Sequence, residues 1–496
     1  MGNVNAGLNF VFKGSNYKRP LVNIYYDLGK LNLPESWGNE GRGGIGIADE
    51  ANERVRLTAF SGPRSMKKGE ALQFDFDMTI TPLKPLNLAM MATERFYHSN
   101  SDVSAPYIGI AERSGATMIN IHHKKDIYPY INYPYHDHSV GDFKAFVDSA
   151  HRRGLMVRPY YTTRELTVKT PELWALRSRG GEVICDGPGK DTRTMIHKSG
   201  PKPWLIENLK AHFIPAWYCA FQEGKYKGDM DISVITTPDS RWNNYYLEGL
   251  DWMIRNMGID GMYIDDSALD HKTLQRARRI LDRDGKHRVV DIHTWNHMNG
   301  FAGYANSLQL YMDLLPYVDR LWIGEGFEAD NTPDFWLVEM SGIPFGLLSE
   351  TLNARNTYRG MVFGMLPRLP WSGNPISMWK LWDDFGMKNA ELLGFWDERC
   401  PVKTDNTELI ASIYVQKDKA LIAVANWTDV PQTGLVEVDE KLLGFTPSKI
   451  SLPEVRDLQW GKTHFSDRNG LSNAPFSLEK PFEIMGREGM FILLEK

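Results

Sequence analysis

The sequence predicts an α/β protein, a (β/α)8 TIM barrel flanked by an N-terminal β-sandwich portion and a C-terminal β-sandwich. Apolar and polar residues alternate as in strands near both ends of the chain, whereas in the middle short apolar strands alternate with helical stretches. At 496 residues the chain is too long for one hydrophobic core. We place the domains at residues 1–88, 89–401 and 402–496.

The two flanking regions are predicted to be all-β. In the first, Val55–Phe60 and Leu72–Ile80 show the period of two that is typical of half-buried strands. Thr81–Asn87 contains two prolines and indicates a linker. After residue 402, strand-like segments such as Leu409–Val415 and Gly489–Leu494 are separated by turn-forming residues, which predicts a final sandwich.

Eight short apolar segments in the central region are candidate barrel strands. They are Thr93–Tyr97, Thr117–His122, Leu155–Tyr160, Gly261–Asp265, Arg288–His293, Arg320–Ile323, Ile343–Leu348 and Met361–Leu366. Eight parallel strands of this kind close into a barrel more readily than they form an open sheet. The interval between the third and fourth candidate strands is far longer than an ordinary βα connection. Residues 161–245 are therefore predicted to form an insertion that builds one wall of the site.

Composition excludes several classes of partner. The net charge is −5, so no global basic field favours nucleic acid or anionic lipid. No run of 18 apolar residues would span a membrane, and three scattered cysteines lack metal-ligand spacing. The many aromatic residues, including 15 Trp, suit a carbohydrate partner because their rings stack on sugar faces, although they also fill cores.

The amino terminus shows no secretory signal. Met1–Asn5 has no basic region followed by an apolar stretch, and strand-like sequence begins at Leu8. We expect such a start to lie inside a longer protein. Localisation does not follow from it, and a periplasmic or secreted parent protein is compatible with it.

Polar residues lie within or just after the carboxyl-terminal part of five of the predicted strands. They are Glu94, Arg95 and His98 at strand 1, His122, His123 and Lys124 at strand 2, Asp265 and Asp266 at strand 4, Asp291, His293 and Asn296 at strand 5, and Glu325 at strand 6. The active sites of TIM barrels lie at the carboxyl ends of the strands. These residues are therefore the first candidates for chemistry.

Two carboxyl groups that face each other are the minimum for glycoside hydrolysis, because one protonates the leaving oxygen while the other attacks the anomeric carbon or activates water. Asp265 shares a side of its strand with Tyr263, so we predict that it is the nucleophile, with Asp266 as the next choice. Glu325 lies between two glycines, and we predict that it is the general acid/base. No metal and no cofactor is expected in this chemistry.

Further residues are expected to contact substrate. They are Asp266, Asp291, His293, Arg95, His122, Glu350, Arg368 and Trp295. Other roles remain open for several of them. Asp266 is also suited to be the N-cap of a helix at 269–280. Glu325 could instead form an ion pair with Arg368, and His122 and His123 could be hydrogen-bonded core residues. The tryptophans Trp295, Trp322, Trp336 and Trp371 fit a core as well as a sugar platform.

At these residues the chain resembles a family of largely uncharacterised bacterial glycoside hydrolases from polysaccharide-degrading bacteria. The resemblance rests on Ile259–Asp266, Leu321–Phe327, Ser341–Gly346, Tyr358–Gly364 and Ser61–Arg64, and it covers most of the chain. It implies a sandwich, a barrel and a second sandwich. More distantly, the arrangement is similar to the retaining α-glycosidases of glycoside hydrolase families 101 and 129, which implies α-linked substrates and a nucleophile and acid/base at Asp265 and Glu325.

Two functions of other classes compete with a glycosidase. One is a non-catalytic glycan-binding protein on a degenerate barrel, in which replacing Asp265 would change no activity. The other is a metal-dependent hydrolase that uses His122, His123, Asp291 and His293, although no closely spaced histidine pair supports it. The sugar and the oligomeric state do not follow from the sequence.

Overall fold

The computed structural model describes residues 2–14, 22–23, 26–27, 33–52, 54–99, 105–121, 137–163, 165–188, 212–220, 227–228, 230–237, 240–265, 269–294, 312–323, 330–351, 357–370, 372–455 and 473–496. Strands precede and follow a central barrel, in the order that the sequence predicts. Within these described ranges, no helix combines the length and the apolar composition that crossing a bilayer requires.

The first region is built of antiparallel strands. They are β1 (Gly7–Lys13), β2 (Val22–Asn23), β3 (Tyr26–Asp27), β4 (Gly44–Glu50), β5 (Arg54–Phe60) and β6 (Asp75–Thr81), with the short helix α1 (Glu35–Gly38). β1 pairs with β6, and β4 pairs with β5. Trp37 of α1 is buried beside the β1–β6 pair, where its indole Nε1 donates to the Asp75 carbonyl at 2.7 Å. Where the region meets the barrel, the Leu83 amide donates a hydrogen bond to the Phe345 carbonyl.

In the described part of the chain, seven regular strands and one bridge residue form the barrel. The strands are β7 (Phe96–Ser99), β8 (Met118–Ile121), β9 (Met156–Pro159), β15 (Gly261–Asp265), β16 (Val289–Thr294), β17 (Arg320–Ile323) and β18 (Leu348–Thr351). β7–β8–β9 and β15–β16–β17–β18 are parallel sheets, and a parallel bridge between Tyr160 and Tyr263 joins them. A second parallel bridge, Tyr97 to Leu369, puts the segment at Leu369 in the eighth position.

Amphipathic helices cover the barrel. The helices of this region are α2 (Leu88–Thr93), α3 (Ala105–Ser114), α4 (Asp137–His151), α5 (Leu173–Arg177), α6 (Trp242–Met257), α7 (His271–Leu281), α8 (Pro333–Phe335), α9 (Thr357–Met361) and α10 (Ile376–Phe385). Single turns of other helix types lie at Gly180–Glu182, Met312–Tyr317, Trp336–Met340, Ile343–Phe345 and Met387–Asn389. In α6 the buried residues Tyr246, Leu250, Met253 and Met257 recur at helical spacing and face the sheet.

Three predicted barrel strands are placed differently by the structure. The first strand begins at Phe96, because α2 continues to Thr93. The predicted seventh strand begins as a 3-10 turn at Ile343–Phe345, where Gly346 has φ 76° and a Cβ would lie 1.7 Å from the Lys84 carbonyl oxygen. The predicted eighth strand, Met361–Leu366, is a turn after α9. Its residues are apolar because they are buried in the main core, which also includes residues of the last domain.

The insertion between β9 and β15 has its own small core. Its strands are β10 (Glu165–Thr167), β11 (Gly187–Pro188), β12 (His212–Phe213), β13 (Pro215–Ala220) and β14 (Met230–Ile235). β14 pairs antiparallel with both β10 and β13. Leu166, Val234 and Trp242 are among the buried residues beneath this sheet. The insertion therefore holds β10 next to the carboxyl end of β9.

The last region is a β-sandwich that packs against the barrel. Its strands are β19 (Glu391–Leu393), β20 (Val402–Thr404), β21 (Leu409–Val415), β22 (Lys419–Asn426), β23 (Gln432–Gly434), β24 (Val436–Val438), β25 (Lys449–Pro453), β26 (Asn473–Pro475), β27 (Phe482–Ile484) and β28 (Gly489–Glu495), with helix α11 (Glu440–Leu443). Six of them form one sheet, β19-β21-β22-β28-β25-β26. Along β22, Ile422 and Val424 face the sandwich core, whereas Leu421 and Ala423 face the barrel.

Candidate active site

Asp265 and His293 lie side by side at the carboxyl end of the barrel. They are register partners on the parallel strands β15 and β16, so their side chains point the same way. The His293 Nδ1 atom lies 2.7 Å from Asp265 Oδ1. The His293 side chain is 13% exposed and the Asp265 side chain is 21% exposed, so the pair is sheltered but remains in contact with solvent.

A tyrosine holds the other oxygen of Asp265. Tyr160 follows β9 and bridges Tyr263 of β15, which brings its ring beside the end of that strand. Its hydroxyl lies 2.9 Å from Asp265 Oδ2 and also 2.9 Å from Glu165 Oε2. Glu165 is fully buried and belongs to β10 of the insertion. Contacts at both oxygens hold the Asp265 carboxyl group in one orientation.

Aromatic rings form the floor of this site. The Trp322 ring lies 4.9 Å from the His293 ring and 4.6 Å from the His98 ring, between centroids. Tyr263 lies edge-on to His98 at 5.2 Å. The relative exposure of Trp322 and of Trp336 is 1% or less, so these two tryptophans are core residues and present no face to a sugar.

A network of buried charges fills the barrel below that floor. Arg158 Nη1 lies 2.6 Å from Asp291 Oδ1, and Arg368 Nη1 lies 2.5 Å from Asp291 Oδ2. Arg368 Nε also donates to Glu350 Oε2 at 2.5 Å. Both guanidinium carbons lie 4.3 Å from the centroid of the Phe96 ring, a cation–π distance.

Burial and neighbouring charges act in opposite directions on the pKa values of this network. It raises the pKa of Glu350 above the ordinary value, although the positive charges of Arg368 and Arg320 oppose the rise. Burial also acts to lower the pKa of Arg368, but the Asp291 and Glu350 carboxylates outweigh it, and the pKa is raised. The charges are therefore mutually dependent, because each one is stabilised chiefly by its neighbours.

The residues that the sequence predicts to contact substrate lie in different parts of the barrel. Asp265 and His293 lie next to each other at the mouth of the barrel. Asp291, Glu350 and Arg368 are paired with one another inside the barrel, and Asp291 and Arg368 have no exposed surface. Arg95 precedes β7, at the opposite end of the barrel, where it forms a two-pronged ion pair with Asp383. A substrate contact does not fit Arg95, because the strand predicted at Thr93–Tyr97 begins only at Phe96, which places Arg95 before the amino end of that strand.

The remaining predicted residues lie outside the described part of the chain. They are Asp266, His122, His123, Trp295, Trp371 and Glu325. One alternative for Asp266 is nevertheless wrong, since helix α7 is capped by Asp270, whose carboxylate accepts from the Thr273 amide at 2.9 Å. Arg368, the suggested ion-pair partner of Glu325, is paired with Asp291 and Glu350.

Sequence reasoning missed Tyr160, Glu165 and Arg158. A signal for Tyr160 was present, because it ends the predicted third strand and is therefore expected at the mouth. Arg158 shares its side of the strand, two residues earlier. Glu165 belongs to the insertion, and nothing in its spacing indicates that it returns to the barrel axis.

Few potential metal ligands lie close together in the described part of the chain. Among the residues that the structure describes, no group of three or more His, Cys, Asp or Glu side chains could hold an ion. Of the four ligands suggested by the sequence, His122 and His123 are not described, and Asp291 is already paired with two arginines.

Comparison with known families gives the site its context. The model described as "Glycoside hydrolase 123, TIM-barrel domain" matches residues 87–370, more than half of the chain. The chain belongs to glycoside hydrolase family 123. The C-terminal domain of family 123 matches residues 374–492, and its third domain matches residues 1–82. The glycoside hydrolase predicted from the sequence motifs is thus confirmed, whereas the distant similarity to families 101 and 129 is not.

Two solved structures with a similar architecture are α-amylases. The maltogenic α-amylase of Thermotoga neapolitana has a TM-score of 0.46 and 10% identity, over 82% of this chain and 99% of that one. The Lactobacillus plantarum α-amylase has a TM-score of 0.47 and 11% identity, over 82% and 99% of the two chains. A search of curated proteins found no match. Similarity at this level says nothing about the bond that this member of family 123 cleaves.

Proposed function

We propose that this member of family 123 hydrolyses a glycosidic bond in an oligosaccharide or polysaccharide by double displacement, with Asp265 as nucleophile and Glu325 as general acid/base. One observation carries the proposal. Asp265 ends β15 at the mouth of the barrel, partly exposed, and Tyr160 and His293 hold its two oxygens. A carboxylate fixed in this way can meet an anomeric carbon without first reorganising.

Support for the partner carboxyl comes from the chain order. Glu325 follows β17, and β16 alone separates β17 from β15 in the sheet. Carboxyl ends of neighbouring parallel strands meet at one edge, so a side chain after β17 can approach the site of Asp265. Retention requires the two carboxyl groups to lie about 5–5.5 Å apart. Asp266 is the alternative acid, since it directly follows Asp265.

The substrate is to be found with a panel of aryl glycosides that covers both anomers. The expected α linkage rested on the similarity to families 101 and 129, so α and β substrates have equal standing in this panel. On the best substrate, Asp265→Asn should lower kcat/KM by about 10²–10⁴-fold, the range for loss of one catalytic group. Asp148→Asn, on the exposed face of helix α4, is the matched control and should retain full activity.

Glu325→Gln and Asp266→Asn separate the two candidate acids. Loss of the acid/base should spare substrates with dinitrophenolate leaving groups in the first step, and added azide should restore turnover with formation of a glycosyl azide. An azide product from Glu325→Gln, with retained configuration, supports the proposal. Full activity in Asp265→Asn would refute it, and a normal Glu325→Gln beside an inactive Asp266→Asn would move the acid/base to Asp266.

A further inference from the structure

A pair of stacked tyrosines joins the chain after strand β9 to helix α6. The Tyr161 hydroxyl donates to the Tyr246 carbonyl at 2.7 Å, and the Tyr246 hydroxyl donates to the Tyr161 carbonyl at 2.8 Å. Their ring centroids lie 4.3 Å apart, and the ring planes differ by 14°. Both residues are buried. A ring contact and two hydrogen bonds therefore fasten this part of the barrel to the helix.

Chemistry fixes the direction of these two hydrogen bonds. A backbone carbonyl only accepts, so each phenol is the donor. Burial raises the pKa of Tyr246 above its ordinary value, and its phenol therefore keeps the proton that it donates. The sulfur of Met262 also lies 3.3 Å from the Tyr246 hydroxyl, but the Tyr161 carbonyl oxygen is closer and is the stronger acceptor.

The residues on either side of Tyr161 both contact Asp265. The Tyr160 hydroxyl lies 2.9 Å from Asp265 Oδ2, and the Thr162 hydroxyl donates to the Asp265 carbonyl at 3.2 Å. Between them, the Tyr161 amide donates to the Tyr263 carbonyl at 2.8 Å. Three consecutive residues thus contact the end of β15, and the middle one carries the link to α6.

We infer that Tyr246 is a positioning residue: through the Tyr161 carbonyl it holds the segment that places the Tyr160 hydroxyl against Asp265. The inference rests on the proposed function of Asp265. The Tyr160 hydroxyl lies at the far end of a rigid ring, so a shift of the backbone at its root moves the hydroxyl away from the carboxyl group. Helix α6 is a firm anchor for this segment, because its buried face packs in the main core. A helix on the outside of the barrel thereby contributes to the chemistry at the mouth.

Tyr246→Phe tests the inference, because it removes only the hydroxyl and keeps the stacked ring. With the aryl glycoside identified above, kcat should fall about three- to tenfold, the value of one hydrogen bond, with little change in KM. Tyr161→Phe removes the reciprocal bond and should lower kcat by a similar factor, so the test does not depend on one variant.

Tyr414→Phe is the matched control. Tyr414 is a buried tyrosine of β21 in the last domain, and its hydroxyl donates to the Met361 carbonyl at 2.5 Å. Its replacement deletes the same kind of hydrogen bond away from Asp265. The urea midpoint should therefore fall about as far as in Tyr246→Phe, whereas kcat should stay at the wild-type value.

A double-mutant cycle with Tyr160→Phe separates positioning from a structural role. If Tyr246 acts through the Tyr160 hydroxyl, Tyr246→Phe should change kcat by about twofold or less in the Tyr160→Phe protein. Equal fold losses in both backgrounds, a wild-type kcat in Tyr246→Phe, or a Tyr414→Phe as impaired in kcat as Tyr246→Phe would each overturn the inference. Asp265→Asn keeps the two proposals apart. If that variant is active, the proposed function fails; if it is inactive while Tyr246→Phe keeps the wild-type kcat, only the positioning role fails.

Discussion

The Nδ1 atom of His293 lies 2.7 Å from an oxygen of Asp265, and the two residues are direct partners on adjacent parallel strands. This pairing follows from the barrel itself, because parallel register places the ends of β15 and β16 at one height. The bond fixes the tautomer of His293 and the rotamer of Asp265 together. The acid side chain is therefore oriented before any substrate arrives.

Loss of this bond should reduce catalysis more than folding. We expect His293→Ala to lower kcat by about 10- to 100-fold, the value of one hydrogen bond to a charged group. Steady-state kinetics on the aryl glycoside measures it. His287→Asn, at the opposite end of the barrel, should leave kcat unchanged. Equal activity of His293→Ala and wild type would show that Asp265 needs no such orientation.

The buried charges should matter for stability. Asp291→Asn leaves Arg158 without its counter-charge in the barrel interior, and removal of one partner from a buried pair costs about 3–5 kcal/mol. Unfolding in urea, followed by circular dichroism, gives the change in free energy. Asp148→Asn breaks the exposed pair with Lys144 and should cost about 0.5 kcal/mol or less. Similar values for the two variants would mean that the network is not buried as described.

The cap of helix α7 gives a smaller effect. Asp270→Ala removes the acceptor of the Thr273 amide and should destabilise the protein by about 1 kcal/mol. Asp270→Asn keeps an acceptor and should recover most of this loss. The same urea titration distinguishes them. If Asp270→Ala is neutral, the amide must find water or another acceptor at no cost.

Stability should depend on pH through His287. Its hydrogen bond to Glu94, at 2.8 Å, raises the pKa of His287 above its ordinary 6.5, although partial burial opposes the rise. A raised folded pKa means that the folded state binds the proton more tightly. The stabilisation is therefore fully present below pH 6.5 and disappears as the pH rises through the folded pKa. The difference in unfolding free energy between wild type and His287→Asn should shrink over that interval, and a constant difference would contradict the assignment.

The sequence by itself determined the order of the three regions, the barrel class and the place of Asp265. These depend on local information, since strand periodicity is read over a few residues and β15 and β17 span the ranges predicted for them. It also indicated the family. The predicted seventh and eighth strands failed because an apolar run signals burial, and burial against the last domain looks like burial in a strand.

Only the tertiary structure decided which polar residues meet. Asp291, Glu350 and Arg368 carry the same chemical groups as a substrate site, yet they neutralise one another inside the barrel. Glu165, near the start of the insertion and 100 residues before Asp265 in the chain, lies instead within one hydroxyl of Asp265. Whether a carboxylate is available for chemistry depends on the charges and donors around it, and these come from distant parts of the chain that only the folded barrel brings together.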